Sequence, residues 1–185
     1  MPIHKRPPLR LPGDARVAVW TIVNVENWSP LATMPRAVLP PPMGQPLMPD
    51  VPNWAWHEYG MRVGFWRFHQ LFERLAIKPT LSVNARVCVD YPGVAQACLD
   101  SGWEFMGHSW EQGPIHKEPD QRAMIQRSLD RLESFTGKRP VGMRTPSWDF
   151  SPNTLALEQE LGLFYDSSLM ADDDCYELLL HVFHS

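Results

Sequence analysis

Polar side chains able to do acid–base work fall at one recurring place in this 185-residue sequence, the ends of short apolar runs: Asn24 and Glu26, then Asn84, His108, Arg144 and Asp166. Glu26 and His108 can take a proton, while Arg144 and Asn24 can hold an oxygen and steady the charge that develops on it. Polar groups gathered at the carboxyl ends of several strands mark the active face of a parallel α/β barrel.

The elements that must position them follow from hydrophobic spacing. Residues 15–24 are β-branched and almost continuously apolar, which predicts a first strand buried on both faces. Residues 1–14, basic and rich in proline, read as an extended arm before a single domain over 15–185. Eight prolines in Ser29–Pro52 leave no compact element, so this stretch reads as a long lid loop over the active face. Phe65, Phe68, Phe72 and Leu75 lie three, four and three apart, predicting a helix with one apolar stripe that ends before Pro79. Thr80–Asn84 reads as strand two, Pro92 to Gly102 as a helix, and Trp103–Gly107 as strand three. Pro119 to Gly137 reads as the next helix, with Ile125, Leu129, Leu132 and Phe135 on one face. Val141–Arg144 is strand four, Ser151 an N-cap before Pro152 for a helix closed by Gly162, and Leu163–Asp166 strand five. Alternation of this kind gives a parallel sheet with right-handed crossovers. No glycine-rich phosphate motif follows any strand, which favours a barrel over a nucleotide-binding sheet.

Composition narrows the function. Net charge is −4 with basic residues scattered, which argues against a nucleic-acid partner, and no apolar run is long enough for a membrane span. A small-molecule substrate fits better. Three cysteines without a CxxC pair, and a basic N-terminus without an apolar core, lead to the expectation of a cytoplasmic protein. Cys88 and Cys98 read as small buried hydrophobes. His57 and His69 read as helix-face residues, and His181 and His184 as tail.

Asn24-Val25-Glu26-Asn27-Trp28, Gly107-His108-Ser109-Trp110 and Arg144-Thr145-Pro146-Ser147-Trp148 stand in the order of three motifs of the polysaccharide deacetylase superfamily, which the chain resembles over about residues 15–178. Glu58–Gly64 and Asp166–Asp173 are similar to its allantoinase-like, cytosolic branch. The resemblance implies a distorted (β/α) barrel that hydrolyses a carbon–nitrogen bond, by N-deacetylation or by opening a cyclic ureide or imide. It also implies a metal held by an aspartate and two histidines, and here the sequence departs. Asn24 stands where the family's base would be, and Gln112, four residues after His108, replaces an imidazole. Two ligands, Glu26 and His108, would hold zinc weakly if at all. The Asn-x-Glu pattern is similar to that of allantoinase-like members that work without metal. In that scheme Glu26 or His108 activates water, Arg144 and Asn24 bind carbonyl oxygens, and Trp28, Trp110, Trp148 and Asp166 shape the substrate pocket.

Only about five strand–helix units are present, against ~250 residues for a closed eight-fold barrel. The expectation is therefore an incomplete, C-terminally truncated barrel that self-associates as a homo-oligomer. A non-catalytic binding module or remnant is the competing reading.

Overall fold

Neighbouring parallel strands need a crossover, and helices supply each one in the computed structural model, which describes residues 3–8, 10–32, 34, 38–45, 48–170 and 175–176. Five parallel strands form one sheet in chain order: β1 (Ile22–Val25), β2 (Thr80–Val83), β3 (Glu104–Gly107), β4 (Gly142–Met143) and β5 (Tyr165–Asp166). Between them run α1 (Val51–Tyr59), α2 (Phe65–Leu75), α3 (Val87–Asp90), α4 (Pro92–Asp100), α5 (Gln121–Thr136) and α6 (Thr154–Glu160). Ile22 pairs with Thr80, and Val83 with Gly107. Among the described residues β1 and β5 each have one strand neighbour, so the α/β sheet is an incomplete barrel wall. The segment Ala171–Asp173 and the tail histidines His181 and His184 lie outside the described residues.

Several expected boundaries need correction. Residues 15–21 are extended but stand outside the sheet, with Val17 73% and Val19 86% exposed. The neighbouring β2 starts only at Thr80, behind a proline that has no amide hydrogen, so the backbone contact of this stretch with β2 is that of Thr21, whose carbonyl accepts from the Thr80 amide at 2.9 Å. The stripe on α2 is only half buried: Phe65 and Phe72 pack into the core, whereas Phe68 and Leu75 are 58% and 55% exposed. The run Val51–Leu75 is helical throughout, with a π-helical turn at Gly60–Gly64 joining α1 to α2, so α1 takes the last two residues of the Ser29–Pro52 segment. Asp50, accepting from the Asn53 amide at 3.2 Å, caps that helix. Asp120, accepting from the Ala123 amide at 2.9 Å, caps α5 in place of Pro119. Helix α6 begins at Thr154 rather than after Ser151, because the Ser151 amide is held by Thr154 Oγ1 at 2.9 Å, which closes a turn first.

Alternate strand residues face the helices. Val25, Leu81, Val83 and Phe105 pack there with Met61, Phe65, Cys88 and Cys98, and Met143 joins Ile125, Leu129 and Leu161. Both thiols are buried, as expected. At the amino end of the other face, Trp20 donates its indole N–H to Thr80 Oγ1 at 2.8 Å, and its ring meets Tyr165 edge-on at 5.8 Å. Thr80 passes its own proton to Glu104 at 2.8 Å. This aromatic floor requires a bare backbone at residue 142: a Cβ on Gly142 would fall 1.9 Å from the Tyr165 ring. Gly142→Ala is expected to cost on the order of 3 kcal/mol through overpacking, read as a lower denaturant midpoint, and Gly142→Ala combined with Tyr165→Ala to recover part of that loss.

Candidate active site

Glu26, Asn84, His108 and Arg144 are each the first residue beyond a strand, and Asp166 ends β5, so one edge of the sheet presents them all. Asn84, fully buried, organises the middle of this edge. Its Oδ1 accepts from the Asn27 amide at 2.8 Å, while its Nδ2 donates to the His108 carbonyl and, at 3.4 Å, to Gln112 Oε1. The chain leaving β1 and the chain leaving β3 are thereby tied to one carboxamide on β2.

That tie brings His108 Nε2 to 3.5 Å from Glu26 Oε1. The other ring nitrogen, Nδ1, lies 2.6 Å from the Arg144 carbonyl oxygen. A carbonyl can only accept, so Nδ1 carries the hydrogen and Nε2 is the nitrogen left to face Glu26. Nε2 is buried and has no hydrogen-bond partner. Glu26 Oε2 accepts from the Trp28 indole at 3.1 Å. Burial pushes the Glu26 carboxyl up, but the hydrogen bond and charge that the His108 ring supplies once Nε2 is protonated, the Trp28 indole and the charge of His57 outweigh it, and Glu26 sits below the usual carboxylate range. It is therefore ionised at neutral pH.

A cleft of about 440 Å³ opens beside Glu26, touched by four consecutive residues, Val23, Asn24, Val25 and Glu26. Successive strand side chains point to opposite faces, so a cleft that meets all four runs along the strand's free edge. Asn24, exposed, shares the Glu26 face of the strand. The opposite wall is helical: Trp56 and His57 of α1, Gly60, Met61 and Gly64 of the π turn, and Phe65 and Phe68 of α2. His57, which sequence reading placed on a helix face without a role, stacks on Trp28 with ring centroids 5.0 Å apart. No motif marks it; the prolines before it hid the helix that carries it.

The remaining candidates are placed differently. The Arg144 guanidinium lies 5.5 Å from the ring centre of Trp148, which is 52% exposed. Both oxygens of Asp166 are engaged by Ser168, from its amide at 2.7 Å and its hydroxyl at 3.0 Å. Ser168 in turn accepts from the Thr145 amide at 2.8 Å, so Asp166 braces the loop after Arg144. Burial raises the Asp166 carboxyl, against the pull of Ser168 and Arg144. Trp110 lines a separate cavity and is covered by the Arg127 guanidinium at 3.5 Å. The structure thus unites Glu26, His108, Trp28 and Asn24, with Arg144 linked through its carbonyl.

A divalent metal is the group the fold implies, and the donors fit it poorly. Glu26 and His108 offer two ligands, and the Gln112 oxygen is shared with Asn84. Among the described residues no cluster of three His, Cys, Asp or Glu can hold an ion.

With this geometry in view, comparison with known proteins is informative. The polysaccharide deacetylase family model matches residues 57–165, more than half of the chain. The chain belongs to the polysaccharide deacetylase family. It is 31% identical over 116 residues to a peptidoglycan deacetylase-like protein of Gibberella zeae, covering 60% of this chain and 34% of that protein. A peptidoglycan deacetylase of Helicobacter pylori is 28% identical over 113 residues, covering 60% and 39%. Among solved structures, the Puue allantoinase superposes with a TM-score of 0.79 at 27% identity, over 91% of this chain and 59% of that one. A probable polysaccharide deacetylase from Pseudomonas aeruginosa PAO1 gives 0.79 at 29% identity, over 91% and 60%. The chain thus aligns with between a third and two fifths of the length of these curated relatives. No helix among the described residues is long and apolar enough to cross a membrane.

Two measurements check this site of the deacetylase-family chain. Protein dialysed against buffer and assayed by elemental analysis is expected to hold well under one zinc per chain; one firmly held ion, lost on His108→Ala, would contradict the two-donor reading. Beneath Asp166, Glu158 of α6 is 4% exposed, and burial, with the Asp166 charge added, pushes its carboxyl up to about 9. The folded chain then keeps a proton that the unfolded chain gives up above pH 4.5, so stability falls as pH rises from there towards 9. Urea midpoints at pH 5 and pH 7 should differ by on the order of 3 kcal/mol in stability for the wild type, and by much less for Glu158→Gln.

Proposed function

We propose that this chain is a hydrolase of non-peptide carbon–nitrogen bonds, acting by N-deacetylation or by opening a cyclic ureide or imide. The observation that carries the reading is the Glu26–His108 pair: an ionised carboxylate and an unpartnered imidazole nitrogen, 3.5 Å apart, at the mouth of a cleft. Two acceptors converging on one place hold a water molecule by its hydrogens and leave its lone pairs free. Glu26 is the proton acceptor. His108, locked by the Arg144 carbonyl, orients the water, and its lone pair adds to the basicity of the site. Asn24 offers an amide N–H to the substrate carbonyl from the same face of β1, and Arg144 acts through its carbonyl, which fixes the His108 ring. Trp28, stacked with His57, gives a flat wall suited to a ring-shaped substrate.

The competing reading, a binding module without turnover, is favoured by Asn24 and Gln112, neutral amides where a base and a ligand would stand. On either reading the Ser29–Pro52 segment serves as a lid: the Asp50 amide closes back on the Pro30 carbonyl at 3.2 Å, and Trp54 fastens α1 to the Trp28 carbonyl at 3.0 Å. The edges of β1 and β5 that have no strand neighbour among the described residues favour self-association of this chain.

A panel of allantoin, hydantoin and N-acetylglucosamine oligomers, followed by release of acid or amine, tests the reading. Turnover of at least one amide is expected, with Glu26→Gln reducing kcat/KM by roughly a thousandfold through loss of the base. Calorimetric binding of these compounds with no turnover would establish the binding module instead.

A further inference from the structure

Resting on the hydrolase reading, we propose that His57 is a further catalytic residue of this cleft, the acid that delivers a proton to the departing nitrogen. The water-activating pair explains how the carbon–oxygen bond forms and leaves open how the nitrogen departs. An amide nitrogen expelled as an anion is a very poor leaving group, so a proton must reach it as the bond breaks.

His57 meets the requirements on three separate counts. It lines the cleft from the helical wall, across from the β1 residues that carry Glu26. Its ring lies against Trp28, centroids 5.0 Å apart and planes tilted by 30°, and Trp28 also binds Glu26, so the imidazole and the carboxylate both contact one indole. Its Nε2 is buried with no protein partner, which leaves it available to a group of the substrate. Burial holds the imidazole below its ordinary value, against the charge of Glu26, and this makes its protonated form a readier donor.

The step balances without any further reagent. Water attacks the carbonyl carbon, a carbon–oxygen bond forms, the carbonyl π pair moves to oxygen, and one water proton passes to Glu26. On collapse the pair returns from oxygen, the carbon–nitrogen bond breaks, and the nitrogen leaves with its bonding electrons and a proton from His57 Nε2. Transfer of the proton gained by Glu26 to His57 restores both groups. Water and amide are consumed, and acid and amine are released.

An acid that serves the leaving group matters most when that group is a poor one. Wild type and His57→Gln should be compared on the amide of the panel that is turned over and on 4-nitrophenyl acetate, whose phenolate departs without a proton. General acid catalysis is worth roughly a hundredfold or more, so His57→Gln should lower kcat on the amide at least ~30-fold more than on the ester. Glu26→Gln should depress both. Equal losses on amide and ester with His57→Gln, or no loss on the amide, would overturn the role of His57 and leave the hydrolase reading intact. No amide turnover by the wild type would overturn the hydrolase reading and this role together.

Discussion

The buried carboxamide of Asn84 is the contact on which the arrangement of this protein rests. Strand β2 contributes no side chain to the Glu26–His108 pair, yet the first residue beyond it grips the chain on both sides, the Asn27 amide after β1 and the His108 carbonyl after β3. A carboxamide can do this because it offers donors and an acceptor in one rigid plane, and in a dry environment each bond counts for more than it would in water. Aspartate would lose the donor, and leucine would leave both backbone groups unpaired. The distance between Glu26 and His108 is therefore set from the strand between them.

Much of this was legible in the residues. The five strands and the polar groups at their ends follow from hydrophobic spacing, while the expectation that the first strand is buried on both faces fails, since in β1 Val25 is buried and Asn24 exposed along the edge that meets the cleft. Ser151 and Pro119 misled about helix starts for a local reason: a side-chain bond to Thr154 closed one turn early, and Asp120 outcompeted its neighbour as a cap. What could not be read was anything decided by pairs distant in sequence. Trp110 lies after a strand end like His108, and only tertiary packing shows it covered by Arg127 from α5. Asp166 looked like a pocket group because its two bonds to Ser168 are a matter of turn geometry.

The departures from the family pattern acquire a physical sense in the structure. Gln112 is 8% exposed and lies against Asn84, and its amide bonds the Asn27 carbonyl at 3.0 Å. The 3.0 Å bond is made by the backbone amide; the side chain adds its Oε1, which accepts from Asn84 Nδ2 at 3.4 Å. Asn24 removes a second negative charge from beside Glu26, and with one carboxylate alone in the cleft no like charge opposes its ionisation. Both changes put a neutral carboxamide where the family pattern has a group able to hold a cation or take a proton, in keeping with the poor fit of a divalent ion among the described residues.

The π-helical turn at Gly60–Gly64 has a consequence for the lineage of this cleft. Such a turn accommodates about one residue more than the α-helical path it replaces, and each residue advances a helix by about 100°. Drawing the same residues into a plain α-helix would rotate everything before the turn by about 100° relative to α2, swinging Trp56 and His57 away from β1 while leaving α2 seated on the core. The wall opposite Glu26 thus depends on the spacing of the chain as much as on its chemistry. A relative with the same count between Tyr59 and Phe65 but no π turn would present another set of side chains to the same carboxylate.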